Sequence, residues 1–206
     1  MQAYKQLQQA LNFDQALPVT ADWSAAADFL NLIKDYCLTK KPDIIVECSS
    51  GLSTLILSKC CQINNSGHVY SLENAEEYQQ KTLKNLKQFK LESYADVIYA
   101  PLEQNTINNI NYDWYQSNKI SELKIEVLVI DGPPGFIQKH SRLPAIPILF
   151  NQLADDACIF LDDAARKEEK EVVSIWLEQY PSLSHEYIET ERGCSIFKKT
   201  VGDSVG

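Results

Sequence analysis

The sequence predicts an α/β protein built on a mostly parallel sheet, with helices on both faces and an antiparallel hairpin at one edge. Three observations predict it. Short runs rich in Ile, Val and Leu alternate with stretches of helical period, the mark of repeated strand–helix units. The run IEVLVI at Ile125–Ile130 is apolar almost throughout, as a strand covered on both faces must be. Near the C-terminus, HEYIETERGCSIFKKT holds two strand-like runs joined at Arg192 and Gly193, which reads as a hairpin.

Taken in order, residues 1–20 read as a helix and an irregular stretch around Pro18. Residues 23–38 place Phe29, Leu30, Ile33, Tyr36 and Cys37 on one helical face. Pro42 ends the following turn and Ile44 opens the sheet. Residues 53–61 form a helix whose buried side carries Leu55, Ile56 and Leu57. Gly67 precedes HVYSLE, a strand ending in Glu73. Asn74 then caps a helix reaching Phe89, with Glu76 and Glu77 in the first turn, where the helix dipole favours acids. Residues 94–99 make a third strand, stopped by Pro101. Trp114 and Tyr115 fall in a helical or loop crossover before Ile125, and the turn DGPPG follows Ile130. Residues 144–153 read as a helix that tolerates Pro144 and Pro147 near its start. Ala157 to Leu161 is the fifth strand, and residues 168–180 are amphipathic through Val172, Val173, Ile175, Trp176 and Leu177. The residues after Thr200 are expected to fray.

A chain of 206 residues suits one α/β domain and is short for two. Residues 1–206 are therefore read as a single domain. Residues 1–40 supply N-terminal helices that can cap a substrate, and residues 41–200 supply a cofactor-binding core. The net charge of -9 argues against a nucleic-acid partner, because attraction to a phosphate backbone requires clustered Lys and Arg. Lys81, Lys84 and Lys87, three apart, read as one wetted helix face. No apolar run approaches the roughly 20 residues of a membrane span, and the N-terminus lacks the apolar stretch of a signal peptide. Six cysteines without C-x-x-C spacing read as buried, reduced thiols of a cytoplasmic protein. The expected partner is a small molecule; a homodimer is left open.

The stretch IIVECSSGLST, residues 44–54, is the most informative. It reads as a strand ending in Glu47, then a tight turn through Gly51 into a helix. Helix N-termini offer unpaired N–H groups and partial positive charge. A dinucleotide site needs several glycines there so that the backbone can approach pyrophosphate. Here one glycine stands beside a carboxylate that would repel a pyrophosphate. A cofactor carrying an ammonium and a sulfonium, as S-adenosylmethionine does, is not repelled. Glu73, 22 residues after Gly51, is spaced to accept two ribose hydroxyls. That placement suits NAD equally well. Glu47, Glu73, Asp131, Asp162 and Asp163 all follow strands, so the same rim of the sheet collects one carboxylate after another.

With VECSSGLST, YSLENAEEY, VIDGPPG, RLPAIPIL and FLDDAARKEE in this order, the chain resembles the class I S-adenosylmethionine-dependent methyltransferases. More narrowly it resembles their small bacterial branch, with a Glu-x-Gly-Ser-Gly-x-Ser-Thr turn and an Asp-Gly-Pro-Pro-Gly motif. The resemblance spans residues from about 20 to 200. It implies a Rossmann-like methyltransferase fold with a seven-stranded sheet, and methyl transfer to a hydroxyl of a small molecule such as a sugar or phenol. It also implies that Glu47 holds the amino group of the cofactor's methionine part. A solvent-facing carboxylate or a salt bridge to lysine is the structural alternative. Ser49, Gly51, Ser53 and Thr54 would shape the turn, Asn74, Pro101 and Leu102 the adenine side, and Asp131 and Gly132 would also meet the cofactor. Ser49 stands where the branch carries glycine, and its Cβ narrows the space for the methionine part.

In metal-dependent O-methyltransferases an aspartate at the Asp131 position and an Asp-Asn pair after the fifth strand bind a divalent cation. Asp131, Asp162 and Asp163 match those positions, with Asp163 for the asparagine. Three such carboxylates repel unless a cation or protons intervene, and oxygen ligands favour Mg²⁺ or Mn²⁺. The lysine that those enzymes carry three residues after the aspartate is Pro134 here. Asp131, Asp162 and His140, in a loop after the DGPPG turn, are the candidate catalytic groups. Arg142 and Arg166 match arginines of the branch and either bind substrate anions or tie the late carboxylates. Two other readings compete. One is a noncatalytic or weakly active cofactor-binding protein in a biosynthetic complex, suggested by Ser49 and Pro134. The other is a dinucleotide oxidoreductase, disfavoured by Glu47.

Overall fold

The computed structural model describes residues 2–21 and 23–200; the expected fraying after Thr200 lies outside these residues. Helices α1 (Gln2–Ala10) and α2 (Ala27–Lys40) lead into β1 (Ile44–Cys48), α3 (Leu52–Asn64), β2 (His68–Glu73), α4 (Glu76–Gln88) and β3 (Ala95–Tyr99). Then come β4 (Leu102–Ile107), β5 (Ile110–Tyr115), β6 (Ile125–Ile130), α5 (Ala145–Leu149), β7 (Leu153–Leu161), α6 (Lys167–Gln179), β8 (Leu183–Ile188) and β9 (Cys194–Lys199). The main sheet has seven strands in the order β3-β2-β1-β6-β7-β9-β8, with β4 and β5 forming a separate pair. Neighbours from β3 through β7 are parallel; β9 is antiparallel to β7 and to β8. The predicted parallel sheet with an antiparallel C-terminal hairpin is the architecture observed.

Period-two alternation divides the core. Ile45, Val69, Val127, Val129 and Phe160 face one layer, where Leu7 and Leu11 from the N-terminal region, Phe29, Leu30 and Ile33 of α2, and Leu55 and Ile56 of α3 meet them. Val46, Cys48, Leu128, Ile130, Ile159 and Leu161 face the other, against Trp114, Ile146 of α5 and Trp176 of α6. Every cysteine is buried and unpaired. Among the described residues no helix is long and apolar enough to cross a membrane.

Three expectations need correction. Trp114 and Tyr115 do not lie in a helix or loop. They end a hairpin in which Leu102 pairs with Tyr115 and Ile107 with Ile110. Asn108 and Asn109, at φ 52° and 63°, supply the two positive-φ residues that a tight hairpin turn of matching twist requires. Asn74 does not cap α4: Ala75 holds the cap position without a side-chain bond, and its N–H is taken by Glu73 Oε1 at 3.0 Å. The helix expected over residues 144–153 is short, running only over Ala145–Leu149 before a 3₁₀ turn at Phe150–Gln152.

Candidate active site

The parallel strands end in register, and a row of backbone bonds carries the pairing one step beyond them. Ser49 N–H reaches Leu72 O at 3.0 Å, Asp131 N–H reaches Cys48 O at 3.2 Å and Asp162 N–H reaches Ile130 O at 3.0 Å. The sheet thus lines up Glu47, Glu73, Asp131 and Asp162 along one rim, where ligands of open α/β sheets bind.

Glu47 is wholly buried, directly across the ladder from Ser71. Its Oε2 accepts hydrogen bonds from Thr54 Oγ1 at 2.6 Å and Ser71 Oγ at 2.7 Å. Its Oε1 is buried without a partner. Burial pushes its carboxyl up from the ordinary range, while Ser53, Thr54 and Ser71 counteract. Glu47 is therefore neither solvent-facing nor paired with a lysine. Thr54 Oγ1 also accepts the Gly51 N–H at 2.9 Å, so one hydroxyl ties the carboxylate to the turn. Ser53 is buried in the same helix turn.

Glu73 ends β2 and is buried. Its Oε2 accepts from Ser50 Oγ at 2.8 Å, which draws the turn before α3 against the neighbouring strand end. Burial raises this carboxyl as well, opposed first by the Ala75 N–H and then by the Ser50 hydroxyl. Ser50 and Ser71 went unnoticed in the sequence. Ser71 carried a signal, since it shares the face of Glu73 two residues on and becomes the partner of Glu47 once β1 and β2 are paired. Pro101 and Leu102 lie at the start of β4, half-buried, and Gly132 is buried beside Tyr115.

Asp131, Asp162 and Asp163 come together as expected, with one carboxylate oxygen from each lying within 4.8 Å of the others. The structure adds Arg142, 3% exposed, in their midst. Arg142 Nη2 donates to Asp131 O at 3.0 Å, Asp131 Oδ1 at 3.2 Å and Asp163 Oδ2 at 2.8 Å; Nη1 donates to Asp162 O at 2.8 Å. Asp162 Oδ1 accepts the Asp163 N–H at 2.8 Å, and Oδ2 is buried without a partner. Asp163 Oδ1 lies 2.9 Å from Arg166 Nη2, an ion pair in which the angles fall short of a hydrogen bond. Burial raises Asp131, opposed by Arg142 and reinforced by Asp163; burial, then Asp131 and Asp163, raise Asp162. Burial also works against the Arg142 charge, but Asp131 and Asp163 outweigh it and hold the guanidinium above its ordinary value. With the guanidinium occupying the inner oxygens of Asp131 and Asp163, the set does not suit a divalent ion.

His140 makes its contacts elsewhere. Its Nε2 lies 2.6 Å from Glu171 Oε2, and its backbone N–H donates to Glu168 Oε2 at 3.1 Å, both on α6. Phe136, just after the DGPPG turn, is 80% exposed; Trp23 is 56% exposed and packs on Tyr78 of α4 with centroids 5.7 Å apart. A cavity of about 300 Å³, lined by Tyr36, Lys40, Glu126 and Asp155 among others, opens where β6 and β7 begin, at the opposite ends of the strands from the carboxylates.

Fold and rim together define a Rossmann-like α/β protein whose parallel strands end in a row of carboxylates. The chain belongs to the methyltransferase-domain family, whose model matches residues 46–164, more than half of its length. No curated sequence matches it. Among solved structures it is similar to a methyltransferase from Podospora anserina at 13% identity and TM-score 0.69, covering 98% of this chain and 89% of that one. It is also similar to the O-methyltransferase TomG from Streptomyces achromogenes, at 11% identity, TM-score 0.67, and coverage of 98% and 91%. An O-methyltransferase from Bacillus cereus gives 13% identity, TM-score 0.66, and coverage of 97% and 91%.

Proposed function

We propose that this chain transfers a methyl group from S-adenosylmethionine to a hydroxyl of a small molecule. One observation carries the reading: Glu47 and Glu73 are buried on adjacent strand ends around a single-glycine turn, and Glu47 Oε1 has no partner. A buried acceptor left unpaired costs roughly 1–3 kcal/mol. An ammonium group removes that cost, whereas a pyrophosphate would add a like charge. Glu73 has accepted two of the roughly four hydrogen bonds that a carboxylate can take, which leaves capacity for two ribose hydroxyls. Ser49, Gly51, Ser53 and Thr54 form the turn under the methionine part; Asn74, Pro101, Leu102 and Gly132 border the adenosine. TomG was solved with S-adenosylmethionine and the Bacillus cereus enzyme with S-adenosylhomocysteine, and both are O-methyltransferases, which supports the oxygen acceptor.

When bound, the cofactor supplies an electrophilic methyl carbon on a sulfonium; a carbon–oxygen bond to the acceptor forms as the carbon–sulfur bond breaks. The chain has to align the acceptor and receive its proton. Of the three rim aspartates only Asp131 reaches solvent, its side chain 16% exposed, so its carboxylate is the group an acceptor hydroxyl can meet. Asp162 acts from behind by holding the Asp163 backbone. Phe136 and the Trp23–Tyr78 pair offer exposed aromatic surface for a planar or apolar acceptor.

Binding calorimetry tests the cofactor. S-adenosylhomocysteine should bind and NADH should not. Glu73→Ala should weaken the former by roughly 2 kcal/mol, about 30-fold. Unchanged affinity in a folded variant, or tighter binding of NADH, would overturn the assignment.

A further inference from the structure

We propose that Arg142 is the resident cation of the acidic rim, standing where a divalent ion would stand, so that this enzyme transfers methyl groups without a bound metal. The inference rests on the methyltransferase reading and extends it to the chemistry of the site. Three carboxylates with oxygens this close are stable only if positive charge or protons separate them. The chain brings its own positive charge. A guanidinium is planar, permanently charged and presents its donors in a fixed fork. Here both terminal nitrogens of that fork are engaged on the rim, with Nη2 shared between Asp131 and Asp163 and Nη1 on the Asp162 carbonyl, while Nε is buried without a partner.

A hard divalent ion draws six or more oxygens to within about 2.0–2.6 Å of one point. The oxygens that would turn inward for it, Asp131 Oδ1 and Asp163 Oδ2, already converge on Arg142 Nη2 at 3.2 and 2.8 Å. The outer oxygen of Asp163 lies against Arg166. Two carboxylate oxygens remain, Asp162 Oδ2 and the outer edge of Asp131, so water would have to supply most of the shell. An ion seated on them would also face the guanidinium as a like charge at close range. Arg142 is buried behind the rim and touches no acceptor, so it is a positioning residue: it neutralises the aspartates and fixes Asp131 at the opening.

The full chain, free and saturated with S-adenosylhomocysteine, is titrated with MnCl₂ while free Mn²⁺ is read by electron paramagnetic resonance. No stoichiometric site is expected in either state, and the melting temperature should not move with EDTA, MgCl₂ or MnCl₂. Arg142→Gln leaves the carboxylates uncompensated. It should melt several degrees lower and be raised again by millimolar Mn²⁺ or Ca²⁺, with Arg142→Lys intermediate. Binding of Mn²⁺ to the wild type at micromolar concentration overturns the proposal. So does a folded Arg142→Gln that is as stable as wild type and indifferent to cations. If that variant does not fold, the wild-type titration decides alone. Failure of S-adenosylhomocysteine to bind counts against the cofactor assignment instead, and the Mn²⁺ result on the free protein still stands.

Discussion

Ser49 holds φ at 128°, a region that side chains bearing Cβ rarely occupy, at the turn where the resembling branch carries glycine. It is kept there because its N–H continues the ladder to Leu72 O and because the next residue, Ser50, is tied to Glu73. Such a conformation costs about 1–3 kcal/mol, while glycine gives back roughly 0.5–1 kcal/mol in the freedom of the unfolded chain. Ser49→Gly should therefore stabilise the protein by about 1 kcal/mol in urea denaturation. The same change removes a Cβ from the turn that the proposed function sets under the methionine part, so on that reading S-adenosylhomocysteine should bind more tightly. A destabilised variant with weaker binding would mean that the serine side chain holds the turn in a way its backbone geometry does not reveal.

At the scale of elements, Gly132 shows how the hairpin and the strand ends were fitted to one another. A Cβ at Gly132 would run into Tyr115 Oη and would lie 3.2 Å from the Cys48 carbonyl and 3.2 Å from Ser49 Cβ. Tyr115 is buried at the end of β5 and the carbonyl belongs to β1, so neither yields freely. Gly132→Ala should cost about 2 kcal/mol, within the range for overpacking. Adding Tyr115→Phe should recover part of that cost, and strictly additive effects in the double-mutant cycle would refute the contact. The parallel strands were legible because burial on both faces leaves unbroken apolar runs such as IEVLVI. The carboxylates were legible because each closes such a run. The β4–β5 hairpin was not, although Asn108 and Asn109 between alternating residues were its signal, because a parallel crossover raises the expectation of a helix. Nor was the Arg142 cluster settled: its members lie up to 32 residues apart, and only the pairing of β6 with β7 brings Asp131 beside Asp162 and Asp163.

For the molecule as a whole, a rim of buried carboxylates carries a cost that depends on pH. Glu47, Glu73, Asp131 and Asp162 are all raised by burial above their ordinary values. A raised carboxyl binds its proton more tightly folded than unfolded. Its contribution to stability is complete below the unfolded value, near pH 4, and is lost as pH climbs through the folded value. Two groups oppose this. His185 is lowered by burial, so its contribution grows as pH rises through the ordinary histidine range. Glu171 is lowered by His140 and Lys139, but it lies on the surface, where solvent screening weakens the effect. Four buried carboxyls outweigh one partly buried histidine. The net charge of -9, which also grows with pH, acts in the same direction. The ligand-free protein should accordingly be more stable to urea at about pH 5.5 than at about pH 8. Saturation with S-adenosylmethionine should narrow the gap, since its ammonium favours the ionised form of Glu47. Binding near pH 6 should then release protons, read as a calorimetric enthalpy that changes with the ionisation heat of the buffer. Stability that rises from about pH 5.5 to about pH 8 in the empty protein, with no proton release on binding, would show that these carboxyls are already ionised in the fold and that the cofactor is not what relieves them.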